Sequence, residues 1–289
     1  MKTSHWLDTR EYPFKNNIVK IGGHNLHYVD EGAGDIMLFV HGTPSWSFEF
    51  RNLIKVFSKT HRCIAPDHFG FGLSDKPTDY DYSVQQHARV LKEFIEKLGL
   101  KNITLVVHDF GGPIGLNYAV ENPGNIARLI IMNTWMWSSR AEPEFQKLEK
   151  VLKSPLLPFL YKYLNFSVNF LLPKSFADRK KLTPHIHNQY KKPFLKPTYR
   201  LGTIGFAHSL LKAQDWFEQL WNKRAAIQDK PTLFIWGMKD SFVTPKYMVK
   251  FESAFKNSET FKLENAGHFP HEEELEAVVD AIFKWLKTF

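Results

Sequence analysis

An aspartate closes the apolar run Leu105-Val106-Val107-His108-Asp109 and is followed at once by Phe110-Gly111-Gly112 and a helical pattern. A β-branched run that breaks at one polar residue and enters a helix through paired glycines has the form of a nucleophile elbow. Most such turns carry serine at the centre; this one carries Asp109. A carboxylate has no proton to lose and attacks a saturated carbon directly, leaving a covalent ester for water to hydrolyse. Asp240, in Trp236-Gly237-Met238-Lys239-Asp240, and His268, in Ala266-Gly267-His268-Phe269, stand in the order nucleophile, acid, histidine. His268 suits the base that activates water against the ester, and Asp240 suits the acid that holds its tautomer and stabilises the imidazolium. The backbone N–H groups of Thr43, in His41-Gly42-Thr43-Pro44, and of Phe110 suit the oxyanion formed in hydrolysis. Each assignment has a plainer alternative: a helix cap for Asp109, an Asx-turn for Asp240, a structural loop histidine for His268. No acid lies between Asn133 and Arg140, so the competing position for the third residue is empty. His41 and His108 read as supports of their loops.

These residues need a sheet whose strand ends converge. Ile18 to Ile21 and Leu26 to Val29 read as two early strands joined at Gly22-Gly23. Ile36 to Val40 is an unbroken apolar run of the kind buried on both faces of a parallel sheet. Further strands are expected at Cys63 to Ala65, Ile103 to Val107, Leu129 to Met132, Thr232 to Trp236 and Phe261 to Leu263. A helix should start at Ser83, with Gln86 completing a capping box, and run in three- and four-residue spacing to Gly99. Pro245 to Phe255 and Glu273 to Phe289 are also helical in pattern, and His271 to Glu274 reads as an acidic first turn suited to the macrodipole. Gly70-Phe71-Gly72-Leu73-Ser74 lacks the lysine of a phosphate loop and reads as a tight turn. Alternation of strand and helix predicts an α/β fold, a mainly parallel sheet covered by helices on both faces. The alternation breaks between Ser138 and Ala225. Residues 138–225 are expected to form a helical cap domain over a core domain built from residues 1–137 and 226–289.

The chain of 289 residues, 43% hydrophobic and 24% charged, suits a soluble globular protein. Its polar first residues lack a secretory pattern. The apolar stretch Leu156 to Leu172 is interrupted by Pro158, Lys162, Asn165 and Asn169, which argues against a membrane span. Cys63 is the single cysteine, so no internal disulfide forms and a cytoplasmic location is expected. Residues 138–225 hold 16 Lys and Arg against 6 Asp and Glu, the whole basic surplus of a chain with net charge +8. Such a surplus suits an anionic partner or a membrane surface, and equally the solvated faces of surface helices. No nucleic-acid motif accompanies it. His185 and His187 lack the acidic or cysteine neighbours of a zinc site. The chemistry calls for no cofactor or metal, and the partner expected is a small hydrophobic substrate; the oligomeric state is left open.

At these motifs the chain resembles the haloalkane dehalogenases and, beyond them, the epoxide hydrolases of the α/β-hydrolase superfamily. The matching segments include Tyr28-Val29-Asp30-Glu31-Gly32, His41-Gly42-Thr43-Pro44-Ser45-Trp46-Ser47, Pro66-Asp67-His68-Phe69-Gly70, His108-Asp109-Phe110-Gly111-Gly112 and Asn133-Thr134-Trp135. The place of Asp240 is similar to dehalogenase groups I and III, and Ala177 to Pro184 looks most like group III. That group overlaps with β-lactone decarboxylases, which share the aspartate and histidine. The resemblance implies a covalent alkyl-enzyme on Asp109 and leaves halide, epoxide or β-lactone as the substrate; a ligand-binding protein that kept the fold is the remaining alternative. Two departures bear on that choice. Dehalogenases of this kind typically carry a tryptophan after the nucleophile, where Phe110 stands and offers no N–H donor. Many also carry an asparagine where Thr43 stands. Trp46, Trp135 or Trp137 are candidate replacements, each with core packing as its alternative. Tyr161, Tyr163, Tyr190 and Tyr199 are available in the expected cap as proton donors for an epoxide oxygen; their spacing does not match the family's tyrosine pair, so a single phenol would serve, and Tyr161 and Tyr163 are the candidate pocket residues.

Overall fold

The computed structural model describes residues 6–289, apart from the side chains of Pro143, Glu144, Lys147 and Leu148. Its strands are β1 (Asn17–Ile21), β2 (His24–Glu31), β3 (Ile36–Val40), β4 (Arg62–Pro66), β5 (Ile103–Asp109), β6 (Ile126–Thr134), β7 (Thr232–Gly237) and β8 (Ser258–Leu263). They form one sheet in the order β1-β2-β4-β3-β5-β6-β7-β8. The first two pairings, β1 with β2 and β2 with β4, are antiparallel; every other pairing is parallel. The unbroken apolar runs occupy its centre. β5 is buried along its full length and β6 almost so, as strands covered on both faces must be.

The helices before β6 are α1 (Arg51–Phe57), α2 (Val84–Lys97) and α3 (Gly111–Glu121). Between β6 and β7 lie α4 (Pro143–Leu152), α5 (Leu157–Leu164), α6 (Leu172–Ser175), α7 (Pro184–Lys191), α8 (Leu201–Lys212) and α9 (Gln214–Asn222). A π-helical turn, Ser167–Leu171, joins α5 to α6. The chain ends with α10 (Pro245–Ala254), α11 (Pro270–Glu273) and α12 (Leu275–Leu286). The α4–α9 segment does not stand apart from the sheet. Leu172, Phe176, Tyr190, Phe206 and Phe217 join the main hydrophobic cluster, while Leu152, Leu157, Tyr161 and Ala207 form a small one of their own.

Several local expectations shift. The Ser83 hydroxyl accepts from the Gln86 N–H at 3.3 Å, but the box is not reciprocal. The Gln86 amide instead donates to the Tyr80 hydroxyl, and the Ser83 N–H donates to Asp81. The helix expected over Glu273–Phe289 breaks at Glu274, which leaves helical geometry at φ −132°. Its acidic residues face protein partners as well as the helix end. Glu272 pairs with Arg51 and accepts from the Tyr190 hydroxyl, and Glu273 accepts from the N–H groups of Gly267, Ala177 and Asp178. The apolar stretch Leu156 to Leu172 turns at Asn165, which sits in left-handed backbone at φ 49°. No helix among the described residues is long and apolar enough to cross a membrane.

Candidate active site

Asp109 ends β5 at φ 50°, a left-handed conformation that costs an ordinary residue energy and clusters at functional sites. The turn lifts its carboxylate above the sheet toward the loop after β3. The Thr43 N–H donates to Asp109 Oδ1 at 2.7 Å. That approach requires the glycine before it: a Cβ at Gly42 would lie 2.1 Å from Oδ1. Gly111 meets the same crowding, with a Cβ falling 1.9 Å from the Val40 carbonyl. The Thr134 hydroxyl on neighbouring β6 donates to the Asp109 carbonyl.

The other two predicted residues converge on this carboxylate. His268 Nε2 lies 3.3 Å from Asp109 Oδ2, and its Nδ1 lies 2.6 Å from Asp240 Oδ2. Asp240 Oδ1 accepts from the N–H groups of Phe242 and Val243. Burial alone would neutralise His268, yet the Asp240 charge and hydrogen bonds to both carboxylates push its imidazole up to about 10. Burial likewise pushes Asp109 upward, but His268, with help from the His108 charge and the Thr43 N–H, holds the carboxyl below its ordinary range. The resting arrangement is therefore an imidazolium between two carboxylates.

Three supporting residues went unnoticed or were only half read in the sequence. Asn133, at φ 31° on the end of β6, donates from its amide to Asp240 Oδ2 at 2.9 Å and accepts from the Gly237 N–H. An asparagine carries no acidic signal, yet it fills the position where an acid was sought. His108 faces away from the cavity: its Nε2 donates to the His268 carbonyl at 2.7 Å and its Nδ1 lies 3.2 Å from Glu49 Oε1. The carbonyl can only accept, so Nε2 carries a proton. His41 is likewise a loop support, accepting from the His68 N–H. Glu49, His108 and His271 form the one metal-capable grouping among the described residues, their ligand atoms within 4.8 Å of one another. Glu49 Oε1 and His108 Nδ1 already meet across 3.2 Å.

A cavity of about 200 Å³ opens over Asp109, lined by Thr43, Phe110, Trp135, Tyr161, Phe242 and Leu172 among others. Of the candidate aromatics, Trp135 and Tyr161 line it. Trp46 lies in the core against Trp6, Tyr12 and Phe48, and Trp137 packs on Trp221, Tyr247 and Phe251. Tyr163 points to solvent, and Tyr190 is committed to Glu272. Phe110 is held between Phe206, stacked at 4.5 Å, and the edge of Trp135 at 4.9 Å. Burial, then the Asp109 charge, pushes the Tyr161 phenol up to about 12, so it stays a donor.

A family model described as alpha/beta hydrolase fold matches residues 35–275. The chain belongs to that family. It is 33% identical over 279 residues to haloalkane dehalogenase 2 of Mycobacterium tuberculosis, with 96% of each chain covered. It is 35% identical over 285 residues to a cis-3-alkyl-4-alkyloxetan-2-one decarboxylase of Shewanella oneidensis, covering 96% of this chain and 89% of the relative. Among solved structures, a mutant of the haloalkane dehalogenase DatA from Agrobacterium tumefaciens superposes with a TM-score of 0.85 at 25% identity, over 94% of this chain and 96% of that one. The protein is thus a haloalkane dehalogenase-like hydrolase by descent.

Proposed function

We propose that this hydrolase displaces halide from a saturated carbon through an ester on Asp109, with residues 138–225 acting as the cap. Asp109 Oδ2 attacks the carbon, forming the C–O bond as the carbon–halogen bond breaks and halide leaves with the electron pair. Water then adds to the Asp109 carboxyl carbon and gives its proton to His268 Nε2. The negative charge builds on Oδ1, where the Thr43 N–H already points and the Phe110 N–H is the second donor. Collapse breaks the bond from the carboxyl carbon to the former Oδ2, which leaves as the alkoxide and takes the proton from His268 to give the alcohol, and the carboxyl left behind loses its remaining proton to solvent.

The observation that carries this reading is the division of labour between the two Asp109 oxygens. Oδ1 is held by a backbone donor, and Oδ2 meets only His268 at the cavity floor. Esterification also explains how a base held protonated up to about 10 becomes useful. Alkylation removes the Asp109 charge and its hydrogen bond, so His268 loses part of what keeps it protonated. Trp135 and Tyr161 line the same cavity, and the Asp109 charge reaches the Tyr161 phenol. They are the donors available to a departing halide in place of the missing indole at residue 110.

The Shewanella relative supports a second reading, in which the same carboxylate opens a strained β-lactone. The epoxide reading is less favoured, because only one of the four candidate tyrosines, Tyr161, reaches the cavity. Trapping separates these. In His268→Gln, incubation with 1,2-dibromoethane should leave a bromoethyl adduct on Asp109 in intact-mass and peptide spectra. An unmodified protein that releases carbon dioxide from a dialkyl β-lactone in its wild-type form would overturn the halide reading in favour of the lactone.

A further inference from the structure

The basic surplus and a set of exposed apolar side chains fall in the same stretch of the α4–α9 segment. Residues 151–200 hold ten Lys and Arg against a single acid, Asp178. In the same stretch Leu156 is 64% exposed, Phe159 53%, Tyr163 54% and Phe170 56%, with Leu164 and Leu195 also exposed. Scattered apolar residues need no explanation, but a contiguous group marks a binding surface.

The contacts show that this group is contiguous. The rings of Phe159 and Tyr163, one turn apart on α5, lie 5.2 Å from each other. The Leu164 carbonyl accepts from Asn169 at 2.8 Å, which brings Phe170 to the end of the same helix. Arg200 donates to the carbonyls of Lys162 and Tyr163 and also to those of Phe194 and Leu195, so Leu195 joins the group. Lys162 lies on α5 with its ammonium 5.6 Å from the Tyr163 ring centroid, Lys174 lies on α6, Lys153 follows α4, and Lys192 and Lys196 flank Pro193-Phe194-Leu195. The opposite side of these helices faces the reaction: Tyr161, Ser167, Leu171 and Leu172 line the cavity. One helix thickness separates the exposed aromatics from Asp109's chamber.

We propose that this face docks on an anionic lipid bilayer. Its phenylalanine, tyrosine and leucine side chains enter the acyl boundary, and the lysines meet the headgroup phosphates. Interfacial segments bind by this pairing of apolar insertion with cationic attraction. The charge argues against a second copy of the chain as occupant, because a symmetric pairing would set the lysines of one copy against those of the other. The functional sense rests on the proposed apolar substrate, since such molecules partition into lipid and would reach the cavity from there.

Cosedimentation of the full-length protein with extruded vesicles tests the proposal without reading turnover, so it fails separately from the substrate assignment. Binding is expected to vesicles of roughly 70:30 phosphatidylcholine and phosphatidylglycerol, to fall at least ~10-fold on phosphatidylcholine alone, and to be reversed by salt. Phe159→Ser with Phe170→Ser, and separately Lys162→Gln with Lys174→Gln, should each reduce the bound fraction several-fold and leave turnover of a water-soluble bromoalkane unchanged. Absence of vesicle binding, or binding unaffected by both pairs, overturns the proposal. Concentration-dependent assembly in solution that the same substitutions abolish would assign the face to a second copy and overturn it too.

Discussion

The Nε2–H of His108 donates across 2.7 Å to the backbone carbonyl of His268, so the residue before Asp109 fixes the backbone of His268. On the other side the His268 N–H donates to the Ser175 carbonyl at 2.9 Å. His268 is therefore clamped between β5 and α6. Glu49 completes the clamp by holding the far nitrogen of His108.

Glu49→Gln should loosen that clamp without touching substrate. A misplacement of the base by about 1 Å costs on the order of 10²-fold in rate. The loss is expected in ester hydrolysis and not in alkylation. Rapid-quench kinetics would then show an undiminished burst followed by a slower steady state. A fall confined to the burst would contradict the clamp.

Esterification should lower the His268 pKa. The imidazole is raised to about 10 chiefly by Asp240, with Asp109 adding a hydrogen bond and a charge. Asp109→Asn mimics the neutral ester, so the imidazole should titrate at lower pH there than in the wild type, as followed by NMR of the ring protons. The hydrolytic step needs the neutral base, and its rate should rise with pH to a plateau set by the lowered value. Equal pKa values in the two proteins would remove this account of base activation.

Asp240→Asn should cost about 10³–10⁴-fold in hydrolysis, the scale seen when a triad loses its orienting acid. Asn133 offers a rescue. Its amide lies 2.9 Å from Asp240 Oδ2, so Asn133→Asp in the Asp240→Asn background places a carboxylate beside the vacated position. Recovery of at least ~10-fold over the single variant is expected, given the charge such a site supplies to an imidazolium. No recovery in steady-state turnover would show that the β6 end cannot serve His268.

Phe110→Trp should raise the debromination rate by supplying an indole N–H beside the nucleophile. The site is already filled by Phe206 and Trp135, and overpacking costs roughly 1–3 kcal/mol. A faster enzyme with a lower Tm is the expected pair of results. A slower enzyme would place the halide elsewhere, with Trp135 and Tyr161 the remaining donors.

Acid should destabilise the fold well before the carboxylates titrate. Burial holds His41, His68, His87 and His271 below their ordinary range, His87 at about 3. Below pH 6.5 the unfolded chain takes up protons that the folded chain refuses, so each such histidine costs about 1.4 kcal/mol per pH unit until its folded pKa is reached. The Tm should therefore decline from pH 6.5 downward, and His87→Phe should flatten the decline. An unchanged slope in that variant would show that His87 is not among the groups responsible.

The proposed catalytic residues were legible because each stands at or soon after a strand end. Asp109 closes β5, Asp240 and His268 lie in the loops after β7 and β8, and a parallel sheet gathers such ends on one side. Their supports were not, for reasons that differ. Asn133 has no charge to attract notice, and Glu49 looks like a surface acid inside Ser47-Phe48-Glu49-Phe50 although it is wholly buried. Gln86 had the right spacing for a reciprocal cap, but Tyr80 and Asp81 compete for the same groups. Among the aromatics no local pattern separates Trp135 from Trp46 or Trp137. Which indole meets the cavity is decided by packing between elements distant in the chain.

The crowding around Gly42 and Gly111 leaves those two positions no room for variation, since any larger residue there collides with the Asp109 carboxylate or with the strand beside it. Divergence toward new substrates is consequently expected at other residues around the cavity. Libraries that diversify Leu171, Thr203 and Leu210 explore specificity with Asp109, Asp240, His268 and Tyr161 untouched, whereas libraries that include either glycine mostly sample dead protein.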